Sequence, residues 1–371
     1  MKKVLFFIDT LGHGGAEKVL VNLVNRLENA KYDITLMTIF DDGVNKQYLD
    51  SNIKYKYIFK KVFHGNVMFF KLFTPKWLYK HYIKDHYDIV IAYLEGNTTR
   101  ILSGCPFEDT KKLAWVHIEM DEKTRFYPYR SKKECMTCYN AYDRIVGVSG
   151  TVLDSFASQL GTSDKYCVKY NTVDSDYIKK CGEEPVTDLR FENDVVNIVS
   201  VGRLIEQKSY KRLLSVFKRL LDKGYKLRLY IIGEGSQQSM LERYIKNNDL
   251  SDKVFLLGFR DNPWKYVKKA DLFVCSSWTE GFSTAVTEAL ILGTPVVTTR
   301  CSGMTEMLGE KNEYGIITEN NEDALQEGIE FILSDEKLLQ SYAKRSAIRG
   351  TQFNAEETVR AVEQLIDDTI N

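Results

Sequence analysis

Four side chains carry the densest chemistry in this sequence, two acids and two bases, each pair set on a loop that follows an apolar run. Glu280 and Glu288 bracket Glu280-Gly281-Phe282-Ser283-Thr284-Ala285-Val286-Thr287-Glu288, while Arg203 and Lys208 fall in Val201-Gly202-Arg203-Leu204-Ile205-Glu206-Gln207-Lys208-Ser209. Around the glutamates the order reads strand, loop, helix, strand: Leu272 to Cys275 is apolar, Ser283 or Thr284 caps a helix, and Gly293 with Pro295 ends it. Helix-start amides attract anions such as phosphate. A carboxylate just outside them repels phosphate and suits hydroxyls instead, so phosphate beside hydroxyls points to a nucleotide sugar. Arg203 and Lys208, at the carboxyl end of another strand, are suited to gripping a diphosphate and stabilising its charge as it leaves. The plain alternatives are a capped helix whose acids favour its positive end, and a solvated basic loop.

The elements that must position these groups alternate along the whole chain. In the first half, strands are expected at Val4 to Ile8, Ile34 to Ile39, Asp88 to Leu94, Lys112 to Ile118, Arg144 to Val148 and Tyr166 to Lys169, with a helix from Ala16 to Leu27. In the second, they are expected at Val195 to Val201, Leu227 to Ile232, Val254 to Leu257, Leu272 to Cys275, Pro295 to Thr298 and Gly315 to Thr318, with helices between. Such alternation gives two parallel, doubly wound α/β domains, and ligands then sit at the carboxyl ends of strands, here in a cleft between domains. The polar stretch Cys181 to Asp194 marks the divide, giving domains 1–185 and 186–350 and a last segment, 351–371, whose helix is expected to return to the first domain.

Composition sets limits on function. With 371 residues, 44% hydrophobic and 27% charged, the chain has the balance of a soluble protein, and its formal net charge of +0 gives no field toward nucleic acid. Asp9 ends the first apolar run too early for a signal peptide, and no run suits a membrane-spanning helix. The seven scattered cysteines fit reduced thiols and a cytoplasmic setting, and the lone pair Cys135 and Cys138 lacks a second pair for zinc. A nicotinamide fingerprint fails twice, at Glu17 after Gly12 and Gly14 and at Gln238 after Gly233 and Gly235.

One segment breaks the rhythm. From Lys54 to Tyr87, lysines including Lys60, Lys61, Lys71 and Lys76 interleave with aromatics including Phe69, Phe70 and Trp77, with Asp85 the only acid. Such a stretch reads either as a basic amphipathic surface for an anionic membrane or as core packing with a solvated lysine face.

Taken in order, Gly14-Gly15-Ala16-Glu17, Val201 to Lys208, Ile231-Ile232-Gly233-Glu234-Gly235, Leu257-Gly258-Phe259 and the Glu280 to Glu288 stretch resemble the retaining glycosyltransferases of family 4, which have the two-domain GT-B fold. The resemblance covers nearly the whole chain, most specifically residues 195–310. It implies that Arg203 and Lys208 bind the diphosphate, Glu280 the donor sugar and Glu288 the ribose. It places the amides of Phe282, Ser283 and Thr284 against sugar and phosphate, and Gly14 and Gly15 opposite the diphosphate. His117 would lie near the reacting sugar carbon, and Gly258, Phe259 and Arg260 near the base. Ser302 to Glu306 departs from a more usual glycine pair, and Ser283 stands where glycine is common, which leaves the donor open.

The expectation is therefore a retaining, metal-independent hexosyltransferase with no cofactor, using a UDP-sugar and a glycan acceptor on a polyprenyl-diphosphate lipid at the inner membrane surface. Catalysis would rest on His117, Glu280, Arg203 and Lys208; no carboxylate nucleophile stands out, and the resemblance implies front-face transfer. A nucleotide-sugar isomerase of the same fold and a non-catalytic sugar-binding subunit are the alternatives.

Overall fold

The computed structural model describes residues 1–120 and 126–371. The chain divides into two units, Met1–Thr172 with Ala355–Asn371, and Val173–Asn354.

The first unit is built on seven strands: β1 (Lys2–Ile8), β2 (Tyr32–Phe40), β3 (Lys54–Phe59), β4 (Ile89–Ala92), β5 (Lys111–Val116), β6 (Arg144–Gly147) and β7 (Tyr166–Val168). All pair in parallel in the order β3-β2-β1-β4-β5-β6-β7. β1 is a continuous apolar run, and Val4 to Ile8 are wholly buried, as a strand covered on both faces requires. Chain order changes sides between β1 and β4, the place where such sheets open a crevice. β3 is an element the sequence reading missed, because Lys-Tyr-Lys-Tyr-Ile-Phe lacks an apolar run. It is an edge strand, and Lys54 reaches Asp33 at 2.6 Å; edge lysines of this kind discourage further strand pairing. After β3 come helices Asn66–Lys71 and Pro75–Tyr82, so the aromatic and lysine segment is strand and helices together. Helix Ala355–Ile370 closes this unit with buried Val359, Val362, Leu365 and Ile366. Its Asp367 gathers Lys2 at 3.2 Å, Lys31, and the Tyr32 hydroxyl at 2.9 Å.

The second unit holds β8 (Val196–Val201), β9 (Leu227–Ile232), β10 (Val254–Leu256), β11 (Leu272–Cys275), β12 (Val296–Thr299) and β13 (Ile316–Thr318), parallel in the order β10-β9-β8-β11-β12-β13. Its core combines β8, β9 and β11 with one face of helix Tyr210–Asp222, from Leu213, Leu214, Val216, Phe217 and Leu220. The polar stretch 181–194 lies inside this unit, not between the two. Helix Ser175–Gly182 precedes it, with Ile178 buried and Gly182 so close to Leu292 that a Cβ would come within 2.5 Å of that side chain. Helix Glu336–Gly350, with few apolar positions to mark it, packs on helix Thr284–Ile291. There Gly350 lies directly against the Leu290 carbonyl. Among the described residues no helix is long and apolar enough to cross a membrane.

Candidate functional site

In the second unit the sequence-predicted groups converge at the carboxyl ends of β8, β9, β10 and β11. Three glycines let these loops close on one another. Gly202 N–H donates to Ile232 O at 3.0 Å and Gly233 N–H to Gly258 O at 2.9 Å. Gly233 has φ +141°, and a Cβ there would overlap the Gly202 carbonyl. The loop after β8 then turns through Glu206–Lys208 into Ser209, whose φ of 52° is left-handed. That turn is tied to the loop after β11: Trp278 N–H donates to Gln207 O at 2.8 Å, and the Ser276 hydroxyl donates to Lys208 O at 2.9 Å.

This stitching brings Lys208 to Glu280. The Lys208 ammonium lies 2.6 Å from Glu280 Oε1, and the Ser277 hydroxyl donates to the same oxygen at 2.6 Å. Cys275 Sγ is 3.8 Å from it. Glu280 is 7% exposed, and all of these partners sit on Oε1, which leaves Oε2 as its available acceptor. Burial works against the Lys208 charge, but the Glu280 carboxylate outweighs it and the lysine pKa rises. Burial, then Glu280, pushes the Cys275 thiol up as well. Arg203 is exposed and has no ion-pair partner among the described residues, so it is open to an incoming anion.

Ser283 is the cap of helix Thr284–Ile291, accepting from Val286 N–H. Most of that helix is buried, and Thr284, Ala285 and Glu288 form its one partly open face, as the four-residue spacing of Thr284 and Glu288 requires. Phe282 is buried, edge-on to Phe353 at 6.4 Å. Gly303 has φ +74°, and a Cβ there would lie 2.7 Å from the Gly281 carbonyl. In the turn after β10, Gly258 has φ +69° and Phe259 is exposed. Arg260 Nε lies 3.4 Å from the Asp188 carboxylate, so Arg260 is held on its own unit, while the Phe259 ring is exposed.

A supporting residue escaped the sequence reading. Arg212, buried in helix Tyr210–Asp222, donates to the carbonyls of Ser276 and of Ser277 (3.0 Å) and to Asn320 Oδ1 at 2.7 Å. Its guanidinium also lies 3.8 Å from the Trp278 ring centre. It fixes the loop that carries Ser277 and Glu280. The available signal was an arginine on the otherwise apolar face of that helix.

In the first unit, Gly14 caps helix Gly15–Val24, and Glu17 folds back so that a Cβ on Gly14 would overlap its carboxylate. His117, just past β5, is 7% exposed, with its ring 4.8 Å from that of Tyr93. Burial lowers its pKa to about 3, against a small opposing effect of a hydrogen bond to the Tyr93 main chain, so the ring is neutral. Glu95, also missed, accepts from the backbone N–H of His117 and from that of Ile118 at 3.0 Å. Burial raises its carboxyl to about 7, those amides opposing the rise.

The basic and aromatic segment divides by burial. Phe70 is wholly buried and Phe69 half-buried, in a chain of edge-on rings through Phe59, Phe63 and Phe73. Buried Arg100 donates to the carbonyls of Phe70 and Phe73, both at 2.8 Å. Outside lie Lys60, Lys61, Lys76, Val62, Met68, Leu72 (73% exposed) and Trp77 (41%), with Lys71 half-exposed.

Comparison with known proteins agrees with this architecture. Residues 186–349 match the glycosyl transferases group 1 family, and residues 13–177 match Glycosyltransferase Family 4. A curated relative in Campylobacter jejuni, N-acetylgalactosamine-N,N'-diacetylbacillosaminyl-diphospho-undecaprenol 4-alpha-N-acetylgalactosaminyltransferase, is 29% identical over 97% of this chain and 98% of its own. Among solved structures, sucrose-phosphate synthase from Thermosynechococcus elongatus superposes with a TM-score of 0.80 at 16% identity, covering 99% of both chains. Anabaena HepE in complex with UDP and glucose gives 0.77 at 17% identity, over 99% of this chain and 100% of that one. With both halves matching glycosyltransferase domains on two parallel α/β sheets, the chain belongs with the glycosyltransferases of GT-B fold.

Proposed function

We propose that this protein is a retaining, family 4 transferase that moves a hexose or N-acetylhexosamine from a UDP-sugar to a glycan acceptor carried on a polyprenyl diphosphate. The observation that carries the reading is the Lys208–Glu280 pair, with Glu280 Oε2 left open beside a Ser283-capped helix and an unpaired Arg203 nearby. Arg203, Lys208 and the helix amides supply positive charge to the leaving diphosphate, the task a metal ion performs in other transferases. Glu280 Oε2 takes a hydroxyl of the donor sugar, and Glu288, on the open helix face, takes the ribose. His117 offers a neutral ring to a sugar hydroxyl. Phe259 stacks on the base.

In the transfer, the bond from the sugar C1 to the diphosphate oxygen breaks and a bond from C1 to the acceptor oxygen forms on the same face. The acceptor proton passes to the departing diphosphate oxygen, so charge and atoms balance without an enzyme nucleophile. The acceptor class is supported by the lipid-diphosphate acceptor in the name of the Campylobacter relative. The exposed Lys60, Lys61, Lys76, Leu72 and Trp77 suit the headgroup layer of an anionic inner membrane, each lysine adding about 1 kcal/mol.

The test is a thermal-shift panel of nucleoside diphosphates and their sugars, with and without EDTA, followed by transfer to an undecaprenyl-diphosphate-linked saccharide. UDP is expected to stabilise by about 2.7 kcal/mol at a hundred times its dissociation constant, unaffected by EDTA. Sugar turnover without an acceptor would replace transfer with isomerisation, and no response to any nucleotide would sink the reading. For the membrane face, replacing Lys60, Lys61, Lys71 and Lys76 by serine should abolish pelleting with anionic vesicles at low salt. Unchanged pelleting would remove that part.

A further inference from the structure

Three buried polar atoms of the first unit lack any hydrogen-bond partner among the described residues and share one edge of its sheet: Asp9 Oδ1, Asn97 Oδ1 and His117 Nε2. Asp9 follows β1, Asn97 opens the helix after β4, and His117 follows β5. These strands are neighbours, with Phe7 opposite Ala92 and Ala92 opposite Ala114. The loops are further tied by Tyr93 N–H to Phe7 O at 2.9 Å and by Glu95 to the amides of His117 and Ile118. The edge is also where chain order reverses, at β1 and β4.

All three atoms are acceptors when the Asp9 carboxyl is ionised. The His117 ring hydrogen-bonds to the Tyr93 main chain in the sense that favours a proton on the ring, and Nε2 is the nitrogen without a partner. Nδ1 therefore donates to Tyr93 O, and Nε2 presents a lone pair. Asn97 and His117 are only 5% and 7% exposed, so leaving these atoms unmatched is costly unless a ligand or an ordered water supplies donors. A neutral donor suits the edge better than a cation: the burial that raises the Asp9 carboxyl to about 7, aided by Glu17, burdens any ion placed there. Anionic groups are disfavoured, because they bring further acceptors and add negative charge wherever the Asp9 carboxyl is ionised.

We propose that Asp9 and Asn97, together with His117, form an acceptor-only subsite that reads the hydroxyls of an uncharged pyranose and rejects uronic or phosphorylated sugars. The proposal deepens the transferase reading, on which it rests, by naming specificity-determining residues for its sugar. The pyranose is either that of the nucleotide sugar or that of the acceptor, since both bring the same hydroxyls.

The experiment is ligand-observed NMR and calorimetry on the full chain with UDP, UDP-glucose, UDP-N-acetylgalactosamine, UDP-glucuronic acid and the free methyl glycosides. Asp9→Asn and Asn97→Leu are expected to weaken binding of uncharged sugars tenfold or more while leaving UDP within twofold. Asn97→Gln, which keeps a neutral amide acceptor, should retain more binding than Asn97→Leu and guards against misfolding. Loss confined to the nucleotide sugars assigns the subsite to the donor, and loss confined to the methyl glycosides assigns it to the acceptor. The proposal is overturned if both variants bind every sugar like the parent, or if UDP-glucuronic acid binds as tightly as UDP-glucose. It is also overturned if no pyranose signal appears, or if a divalent metal alone binds in an Asp9-dependent way. Failure of the transferase reading shows separately, as absence of UDP binding or of product.

Discussion

The two units carry the same kind of sheet but treat the polar groups at its carboxyl edge in opposite ways. In the second unit the buried charge is neutralised within the protein: Lys208, Ser277 and Cys275 all attend one oxygen of Glu280, and Arg212 fixes the loop beneath. In the first unit, Asp9, Asn97 and His117 are buried with acceptors left unmatched. The first arrangement is stable without ligand and must be rearranged or extended to bind. The second carries a standing cost that a ligand removes. A protein that holds charge in one unit and reads neutral hydroxyls in the other needs both.

This contrast is open to direct attack. The largest expected effect is on Glu280→Gln, which keeps the shape of the side chain and removes the charge that aligns Lys208. Transfer rate in purified protein should fall about 10²–10³-fold with UDP affinity nearly intact, and a variant at full rate would remove Glu280 from the reaction. Next is Lys208→Ala, which strands a buried carboxylate: the second unit should lose about 2–4 kcal/mol by denaturant titration. The double variant Lys208→Met with Glu280→Gln should recover most of that loss while remaining inactive. If it does not, the pair is not a neutralised one.

A smaller effect is expected at Gly303, where φ +74° and the Gly281 carbonyl together resist a side chain. Gly303→Ala should cost about 1–2 kcal/mol and displace Phe282, raising KM for the donor more than it lowers kcat. An unchanged melting temperature and KM would mean that the loop gives way freely.

The smallest expected effects are pH-dependent and belong to the first unit. Glu95 is raised from 4.5 to about 7, so its protonated form stabilises the fold below about pH 4.5 and that contribution is lost as pH rises to about 7. His117 is lowered from 6.5 to about 3, so its contribution is present above about pH 6.5 and is lost as pH falls toward 3. The two slopes oppose each other in the parent. Burial raises Asp9 from 3.8 to about 7 as well, with a slope of the same sign as that of Glu95, so the parent should lose stability from pH 5 to 7. Glu95→Gln should flatten that fall and His117→Phe should steepen it, each by on the order of 2 kcal/mol of unfolding free energy. Parallel profiles in all three proteins would contradict the buried assignments.

Much of the second unit was legible because its site is written in short, ordered segments. Val201 to Lys208 and Glu280 to Glu288 each combine a strand end with a turn, and Ser283 is a capping residue where a cap is needed. The first unit was harder to read. β3 hides behind alternating lysines and tyrosines because an edge strand has one polar side. Asp9, Glu95 and Asn97 are ordinary residues in the chain, and they become a group only when β1, β4 and β5 lie side by side. Arg212 was illegible for the same reason, since its partners at Ser276, Ser277 and Asn320 are brought to it only by the fold. Helix Glu336–Gly350 lacks an apolar stripe because part of its contact with the neighbouring helix is made through Gly350.

The closing of the first unit by helix Ala355–Ile370 also fixes an order of events during synthesis. Residues 173–354 are complete before that helix emerges from the ribosome, so the second unit has all of its strands while the first still lacks the partner of Lys2, Lys31 and Tyr32. The N-terminal half, although made first, is the last to be finished. A chain cut short by the seventeen residues 355–371 would release a completed second unit attached to a first unit whose β1 and β2 side lies uncovered.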